Sequence, residues 1–397
     1  MDQVIDRVRD RLYIDSRARS GGEVVAISGA PTGRKLDLVA KLHQRSILPA
    51  AIRVANGERL VAPLVIDLDP TSFCDLACPE CISSGVLNKE RFTTARLASL
   101  AAEMAAAGVK GVILIGGGEP LMHKGIGGVI RTLHAAGVRI GLVTNGTLID
   151  RYVDELAEMV SWVRVSMDAA TERTYDRFRP SGRKASVFLK IIDNMRLLAS
   201  RKRGRLGYSF LLMQRLDAAG AVVESNYDEL EMAGRLAHDV GCDYLEVKAM
   251  FDDDHFVLDQ NRADVERVSE QIEAIRSRSY GDFHVLEAES WRSLRDGRGS
   301  TQPKGYANCL VAEMRTTITP SGVFPCAYHR GRERLAIGDV GETSLVDMWA
   351  KADLSAIRPD RDCRFECARH ASNVELHGLR GCTPGERSPV PDYDPFF

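Results

Sequence analysis

The stretch "CDLACPECISS", residues 74–84, places three cysteines within eight residues, and the first 240 positions hold no others. Disulfide pairing leaves one thiol over, and a closed structural zinc site takes four ligands. The spacing Cys-x3-Cys-x2-Cys puts Cys74, Cys78 and Cys81 on one short loop, able to wrap one face of a cuboidal iron–sulfur cluster. A four-iron cluster needs four ligands, so three cysteines leave one iron open to a substrate or cofactor. A zinc knuckle completed by a distant ligand is the competing reading of the spacing alone.

The position of this loop sets the fold. Just before it lies "PLVIDLD" (63–69), and similar short apolar runs follow: "VILI" (112–115), "IGLV" (140–143), "WVRVSM" (162–167), "YSFLLM" (208–213) and "YLEVKAM" (244–250). Amphipathic helical patterns separate them. In "TTARLASLAAEMAAAG", Leu97, Leu100, Ala101 and Met104 recur at helical spacing and Gly108 stops the helix; "YDELEMAGRLAHDVG" ends at Gly241. Strands alternating with helices imply parallel β-α units. Six units rather than eight predict an α/β fold built on a partial (β/α)6, TIM-like barrel, open along one side. The thiol loop then lies at the C-terminal mouth, where such barrels place active sites.

Other strand ends carry ligand-type residues to the same mouth. After the second comes "GGGEP" (116–120), whose glycines allow close backbone approach and whose Glu119 offers a carboxylate to a cationic amine. After the third, "TNGT" (144–147) suits a ribose or adenine edge, and the fourth ends "SMDAAT", with Ser166 and Asp168. Along the sixth, Glu246 and Lys248 share one face. They are catalytic candidates if that face lines the cavity; otherwise it is a salt-bridged strand face.

On these motifs, over roughly residues 62–255, the chain resembles the radical S-adenosylmethionine (SAM) superfamily. The resemblance implies that Cys74, Cys78 and Cys81 hold a 4Fe–4S cluster whose open iron is chelated by the amino and carboxylate groups of SAM. It implies that Gly117, Gly118, Glu119 and Pro120 contact the methionyl amine, that Thr144, Asn145 and Ser166 lie near the ribose, with Asp168 a further cofactor-binding candidate, and that an arginine of "ATERTYDRFRPSG" pairs with the SAM carboxylate. Arg179 is the candidate and Arg177 the alternative. Reductive cleavage of SAM would give a 5′-deoxyadenosyl radical that abstracts hydrogen from substrate. One departure is Glu80, where the family usually has an aromatic residue near the adenine.

Five of the nine cysteines fall within residues 306–385. "MRTTITPSGVFPC" reads as a strand, a Ser-Gly turn and a strand; "IGDVGETSLVDMWAKADLSAI" reads as a strand and a helix capped at Ser344. By spacing, four cysteines here suit a structural zinc site. The pattern also resembles the SPASM/twitch extension of radical SAM enzymes, nearer the shorter twitch form. That resemblance implies an auxiliary 4Fe–4S cluster on Cys309, Cys326, Cys363 and Cys367. Cys382 is left over: a thiol near that cluster, a hydrogen-atom donor to a substrate radical, or an ordinary tail residue. The expected organisation is an N-terminal extension (1–61), the barrel (62–255), a helical, polar connector (256–305), the auxiliary-cluster domain (306–385) and an extended proline-rich tail (386–397). In the extension, helices are expected at about 2–12 and 35–44, and "EVVAISGAPTGRK" lacks the spacing of a phosphate-binding loop.

A net charge of -2 gives no global field favouring nucleic acid or an anionic membrane. No secretory signal or membrane-length apolar run occurs, so a cytoplasmic protein with reduced thiols is expected. The implied function is oxidation or epimerisation of a small polar metabolite, such as a sugar, aminocyclitol or natural-product intermediate, with a flavodoxin or ferredoxin as reducing partner. Modification of a ribosomally made peptide ranks lower, because the segment before the barrel lacks the pattern of a winged-helix leader-binding module. A non-catalytic zinc scaffold is the remaining alternative.

Overall fold

A computed structural model of the chain describes residues 37–182, 185–219, 221–250, 262–278 and 280–397. The expected helix at about 2–12 and the "EVVAISGAPTGRK" stretch lie outside the described residues.

The strands are β1 (Val65–Leu68), β2 (Gly111–Leu114), β3 (Arg139–Thr144), β4 (Trp162–Ser166), β5 (Arg205–Leu212), β6 (Gln214–Leu216), β7 (Val222–Ser225), β8 (Tyr244–Ala249), β9 (His284–Glu287), β10 (Arg315–Thr319) and β11 (Gly322–Phe324). The main sheet runs β11-β10-β1-β2-β3-β4-β5-β8-β9, while β6 and β7 form a separate hairpin. The six runs read from the sequence are β1, β2, β3, β4, β5 and β8, paired in parallel in that order. The fold is an α/β partial barrel that does not close on itself. Helices between the strands form its outer layer. Helix Thr94–Ala106 buries the four residues its periodicity predicts, with Thr93 as N-cap, and helix Leu230–Val240 ends at Gly241 with φ 91°.

Alternation along each strand separates two environments. Ile66, Leu68, Val112, Leu114, Ile140, Leu142, Val163, Val165, Tyr208, Phe210, Leu245 and Val247 face the helices in one continuous core. On the inner face, Val65, Ile113, Val143 and Trp162 pack with Phe396 and Phe397 of the tail, and Trp162 meets the Phe396 ring edge-on at 5.5 Å. Gly141 makes room for this packing, since a Cβ there would lie 2.2 Å from the Trp162 ring. The N-terminal end of the barrel is therefore an apolar floor. Toward the C-terminal ends the inward residues become polar: Asp67, Arg164, Ser166, Ser209, Glu246 and Lys248.

The sheet is larger than the six strands expected. The hairpin β10–β11 forms as predicted, but β10 also pairs in parallel with β1. β10 is β-branched along "TTIT", and all five of its residues are buried. Residues 256–305 are not merely a polar connector: helix Arg262–Arg276 buries Val265, Val268, Ile272 and Ile275, and β9 extends the sheet beyond β8. The tail is extended, but its end lies inside the barrel rather than in solvent. Lys41 Nζ binds the Phe396 carbonyl at 3.1 Å, and Gln44 holds the Tyr393 and Asp394 amides.

One buried ion pair joins the added strand to the barrel. Arg315 on β10 donates to Asp67 on β1 at 2.7 and 3.3 Å and to the Phe397 carbonyl at 2.6 Å, with both side chains nearly fully buried. Replacing Arg315 with leucine strands the Asp67 carboxylate in a dry site. A loss of about 3–5 kcal/mol in unfolding free energy is expected, read by denaturant titration.

Candidate active site

The loop leaving β1 carries Cys74, Cys78 and Cys81, all partly buried. Burial pushes the Cys74 thiol up to about 12 and raises Cys78, although Arg179 opposes the shift at Cys78. Such thiols bind metal only by giving up their protons to it, so occupancy of the site stabilises the loop that forms it. Asn145 Nδ2 lies 3.9 Å from Cys74 Sγ, and the Asn88 side chain accepts from the Cys74 amide at 3.1 Å.

The glycine motif lies directly against this loop. Gly118 donates to the Thr71 carbonyl and Glu119 to the Phe73 carbonyl. A Cβ on Gly118 would fall 2.2 Å from the Phe73 carbonyl oxygen, so only glycine permits the approach. The Glu119 side chain, expected to meet a cationic amine, instead turns into the protein. It accepts from Thr144 Oγ1 at 2.7 Å, the Asn145 amide at 2.7 Å and the Leu121 amide at 3.0 Å, and burial raises its pKa to about 7. Thr144 and Asn145 are likewise engaged internally, because Asn145 Nδ2 and Thr147 Oγ1 both bind the Asp75 carboxylate, at 2.8 and 2.7 Å. Asp75, inside the quoted stretch, thus ties the thiol loop to the end of β3. The Gly117 and Pro120 backbone remains next to the loop, while these three side chains brace it.

At the end of β4, Ser166 is partly exposed on the inner face. Asp168 has φ 54°, uncommon for a residue with a side chain. Its carboxylate accepts from the Leu211 amide at 2.7 Å and from Arg179 Nη1 at 2.5 Å. Burial works against the Arg179 charge, but Asp168, Cys78 and Tyr175 together outweigh it and hold the guanidinium more firmly protonated than usual. Arg179 stands beside Cys78 and is already paired with Asp168. Arg177 points away, to Glu224 at 2.5 Å, with half its side chain exposed. Glu80 binds Arg215 of the β6–β7 hairpin at 2.5 and 3.0 Å, and that guanidinium covers the Phe178 ring. The departure at Glu80 is therefore an ionic clamp from the thiol loop to the hairpin, which no local signal in the sequence reveals. On the inner face of β8, Glu246 is paired with Arg164 at 2.9 Å, and Lys248 lies 3.8 Å from the same carboxylate.

A second site lies beside β10. Cys309, Cys326, Cys363 and Cys367 line one cavity, together with Tyr306, Tyr328, Phe365 and Arg369. Burial pushes Cys309 up to about 11 and Cys326 up to about 12, with the neighbouring thiols adding to both shifts. Asn373 Nδ2 lies 3.4 Å from Cys309 Sγ, and His329 Nε2 lies 3.3 Å from Cys363 Sγ. Among the described residues, no three Cys, His, Asp or Glu side chains converge closely enough for a single metal ion. The four thiols line one cavity, a donor set that can hold an iron–sulfur cluster. Cys382 does not line this cavity. It packs against the core of helix Leu48–Ala55, and its carbonyl accepts from Asn56 at 3.0 Å.

A profile of the radical SAM superfamily matches residues 68–208, and one of the SPASM iron–sulfur cluster-binding domain matches residues 309–369. The chain carries a radical SAM domain followed by a SPASM domain. Its two domains imply 4Fe–4S clusters and SAM as cofactors, and both sets of thiols fit that requirement. GTP 3′,8-cyclase of Chlorobaculum tepidum is 26% identical over 292 residues, covering 70% of this chain and 82% of that protein. The AdoMet-dependent heme synthase of Methanosarcina barkeri is 34% identical over 122 residues, 30% of this chain; the match spans only 35% of that protein. In fold, this radical SAM chain is similar to Streptococcus suis SuiB bound to its precursor peptide SuiA, with TM-score 0.55 and 15% identity over 77% of this chain and 68% of that one. It is also similar to anSMEcpe with bound AdoMet, with TM-score 0.54 and 12% identity over 80% and 96%. Among the described residues, no helix is long and apolar enough to cross a membrane.

Anaerobic reconstitution with iron and sulfide should load about eight irons per chain if both sites hold four-iron clusters. Cys326→Ala and Cys363→Ala are each expected to lower this to about four, whereas Cys382→Ala leaves it unchanged, as measured by iron analysis.

Proposed function

We propose that this radical SAM enzyme oxidises or epimerises a small polar metabolite held in the upper half of the barrel. The supporting observation is the polarity gradient of the inner face: an apolar floor of Val65, Ile113, Trp162 and Phe396, below Ser166, Ser209, Glu246 and Lys248. Ser209 Oγ is buried and has no hydrogen-bond partner, which suits a hydroxyl-bearing ligand. Sequence similarity across most of a GTP 3′,8-cyclase, whose name denotes a small polar substrate, supports the same class. A peptide substrate is the second reading. It draws on the likeness to SuiB with its precursor peptide, which is one of fold at 15% identity.

When bound, the clusters and SAM supply a hydrogen-abstracting radical and an acceptor for one electron. The protein's own residues position the substrate, exclude water and move a proton. Gly117, Gly118 and Pro120 present backbone to SAM, while Glu119, Thr144, Asn145 and Asp168 hold the surrounding loops in register. Cys74, Cys78 and Cys81 are the proposed ligands of the SAM-binding cluster, and Cys309, Cys326, Cys363 and Cys367 those of a single auxiliary cluster. The Phe396–Phe397 floor closes the barrel from below.

Oxidation of a C–H, O–H unit removes a hydrogen atom, an electron and a proton, and Lys248 is the proposed proton acceptor. Burial lowers its pKa against the opposing pull of Glu246, so the neutral amine forms at lower pH than for an exposed lysine. Glu246 favours its ammonium form, while the Arg164 guanidinium, itself paired with Glu246, disfavours it. Substrate turnover should therefore rise with pH as Lys248 loses its proton. Lys248→Met is expected to lower turnover by about 10²–10⁴-fold and to remove that pH limb, measured as steady-state rate against pH.

The reaction class is tested by adding reductant and SAM anaerobically. Formation of 5′-deoxyadenosine, accelerated by small polar metabolites, supports the proposal. No 5′-deoxyadenosine, or acceleration by peptides alone, overturns it. Deuterium from solvent appears in the product of epimerisation and not in that of oxidation.

A further inference from the structure

The turn after Cys326 carries a guanidinium onto the thiol loop of the barrel. Arg330 Nη1 lies 3.3 Å from Ser83 Oγ, two residues beyond Cys81. The adjoining Gly331 packs so closely on the same loop that a Cβ there would fall 2.5 Å from Val86 Cγ1. The Arg330 side chain is only 9% exposed, yet its Nε and Nη2 have no hydrogen-bond partner. The nearest opposite charge, Asp69 Oδ2, is 3.6 Å from Nε, outside hydrogen-bonding range. That oxygen already accepts from the Gly117 amide at 2.6 Å. Asp69 Oδ1 is also buried without a partner.

Nε and Nη2 form the edge of a guanidinium that takes a carboxylate or phosphate through two parallel hydrogen bonds. Leaving such an edge both buried and unbonded is costly, and a ligand relieves the cost. Arg179 differs in that its Nη1 is bonded to the Asp168 carboxylate at 2.5 Å, leaving Nε alone without a partner.

We propose that Arg330 anchors an anionic group of the substrate, a carboxylate or phosphate, while Asp69 Oδ1 accepts from a neighbouring hydroxyl or amine of the same molecule. This rests on the reading that a small polar metabolite gives up a hydrogen at the barrel site and an electron toward the Cys309–Cys367 site. Such a molecule must lie between the two sets of thiols. Arg330 springs from the turn that follows Cys326 and lands on the loop that follows Cys81, which is that location. The SPASM domain thereby contributes a specificity residue to the barrel as well as a cluster site.

The test uses crystals of the reconstituted full chain with SAM, soaked in selenate as the oxyanion probe. A selenium anomalous peak within hydrogen-bonding reach of Nε and Nη2 is expected in the wild type, with roughly tenfold lower occupancy in R330Q, which lacks the bidentate edge. If R330Q does not fold, R330K provides the contrast, because a lysine cannot offer that edge. The proposal is overturned by the absence of a peak at Arg330, by a peak that persists in the variant and so marks an adventitious ion only, by an Arg330 closed on Asp69, or by the carboxylate of SAM itself filling the edge. Formation of 5′-deoxyadenosine by the wild type reports separately on the functional reading. If it forms without selenate at Arg330, this proposal alone falls.

Discussion

Strand β1 is hydrogen-bonded along both edges, to β2 within the barrel and to β10 from the SPASM domain. The loop leaving β1 carries Cys74, Cys78 and Cys81, and the hairpin that begins with β10 leads to Cys326. One continuous ladder therefore fixes the distance between the two sets of thiols. A ladder of backbone hydrogen bonds is stiffer than a pair of packed surfaces, and electron transfer between sites depends on such fixed spacing. The buried Asp67–Arg315 pair fastens the same junction from the inner face and reaches the tail carbonyl of Phe397.

The rest of the active mouth is organised by buried carboxylates whose partners belong to the protein. Asp75 binds Asn145 and Thr147, Glu119 binds Thr144 and two amides, Asp168 binds Arg179 and Leu211, and Glu80 binds Arg215. Each joins the loop after one strand to the loop or strand beside it. In a dry setting these charge-assisted bonds are strong and directional, so they hold the mouth in one geometry before any cofactor arrives. Preorganisation of this kind suits a site that must generate a radical next to its substrate and nowhere else.

Several motifs read as cofactor contacts have an additional or different task in three dimensions. Glu119, Thr144 and Asn145 were legible as important because they follow strands at the barrel mouth. Their partners were not legible, because a hydrogen bond from Asn145 to Asp75 joins residues far apart in the chain. Cys382 shows the converse: nine cysteines in a reduced protein invite a chemical role for each, but only folding shows that this one sits against helix Leu48–Ala55. Asp69, Arg330 and Arg215 carried no motif at all, and their significance arises wholly from where the backbone brings them.

The sequence by itself determined the six parallel strands, the helix boundaries at Gly108, Gly241 and Ser344, the β10–β11 hairpin and the two groups of thiols. These follow from local periodicity, capping chemistry and spacing, which act over a few residues. The tertiary structure decided that β10 joins the barrel sheet, that β9 extends it, that Phe396 and Phe397 form the floor, and which polar side chains are engaged and which are left open. Those outcomes depend on which surfaces compete for the same edge or cavity, a non-local contest that no stretch of chain encodes alone. The tail illustrates the difference: its prolines pointed to an extended segment, but the burial of its two phenylalanines required an apolar cavity built by strands more than two hundred residues earlier.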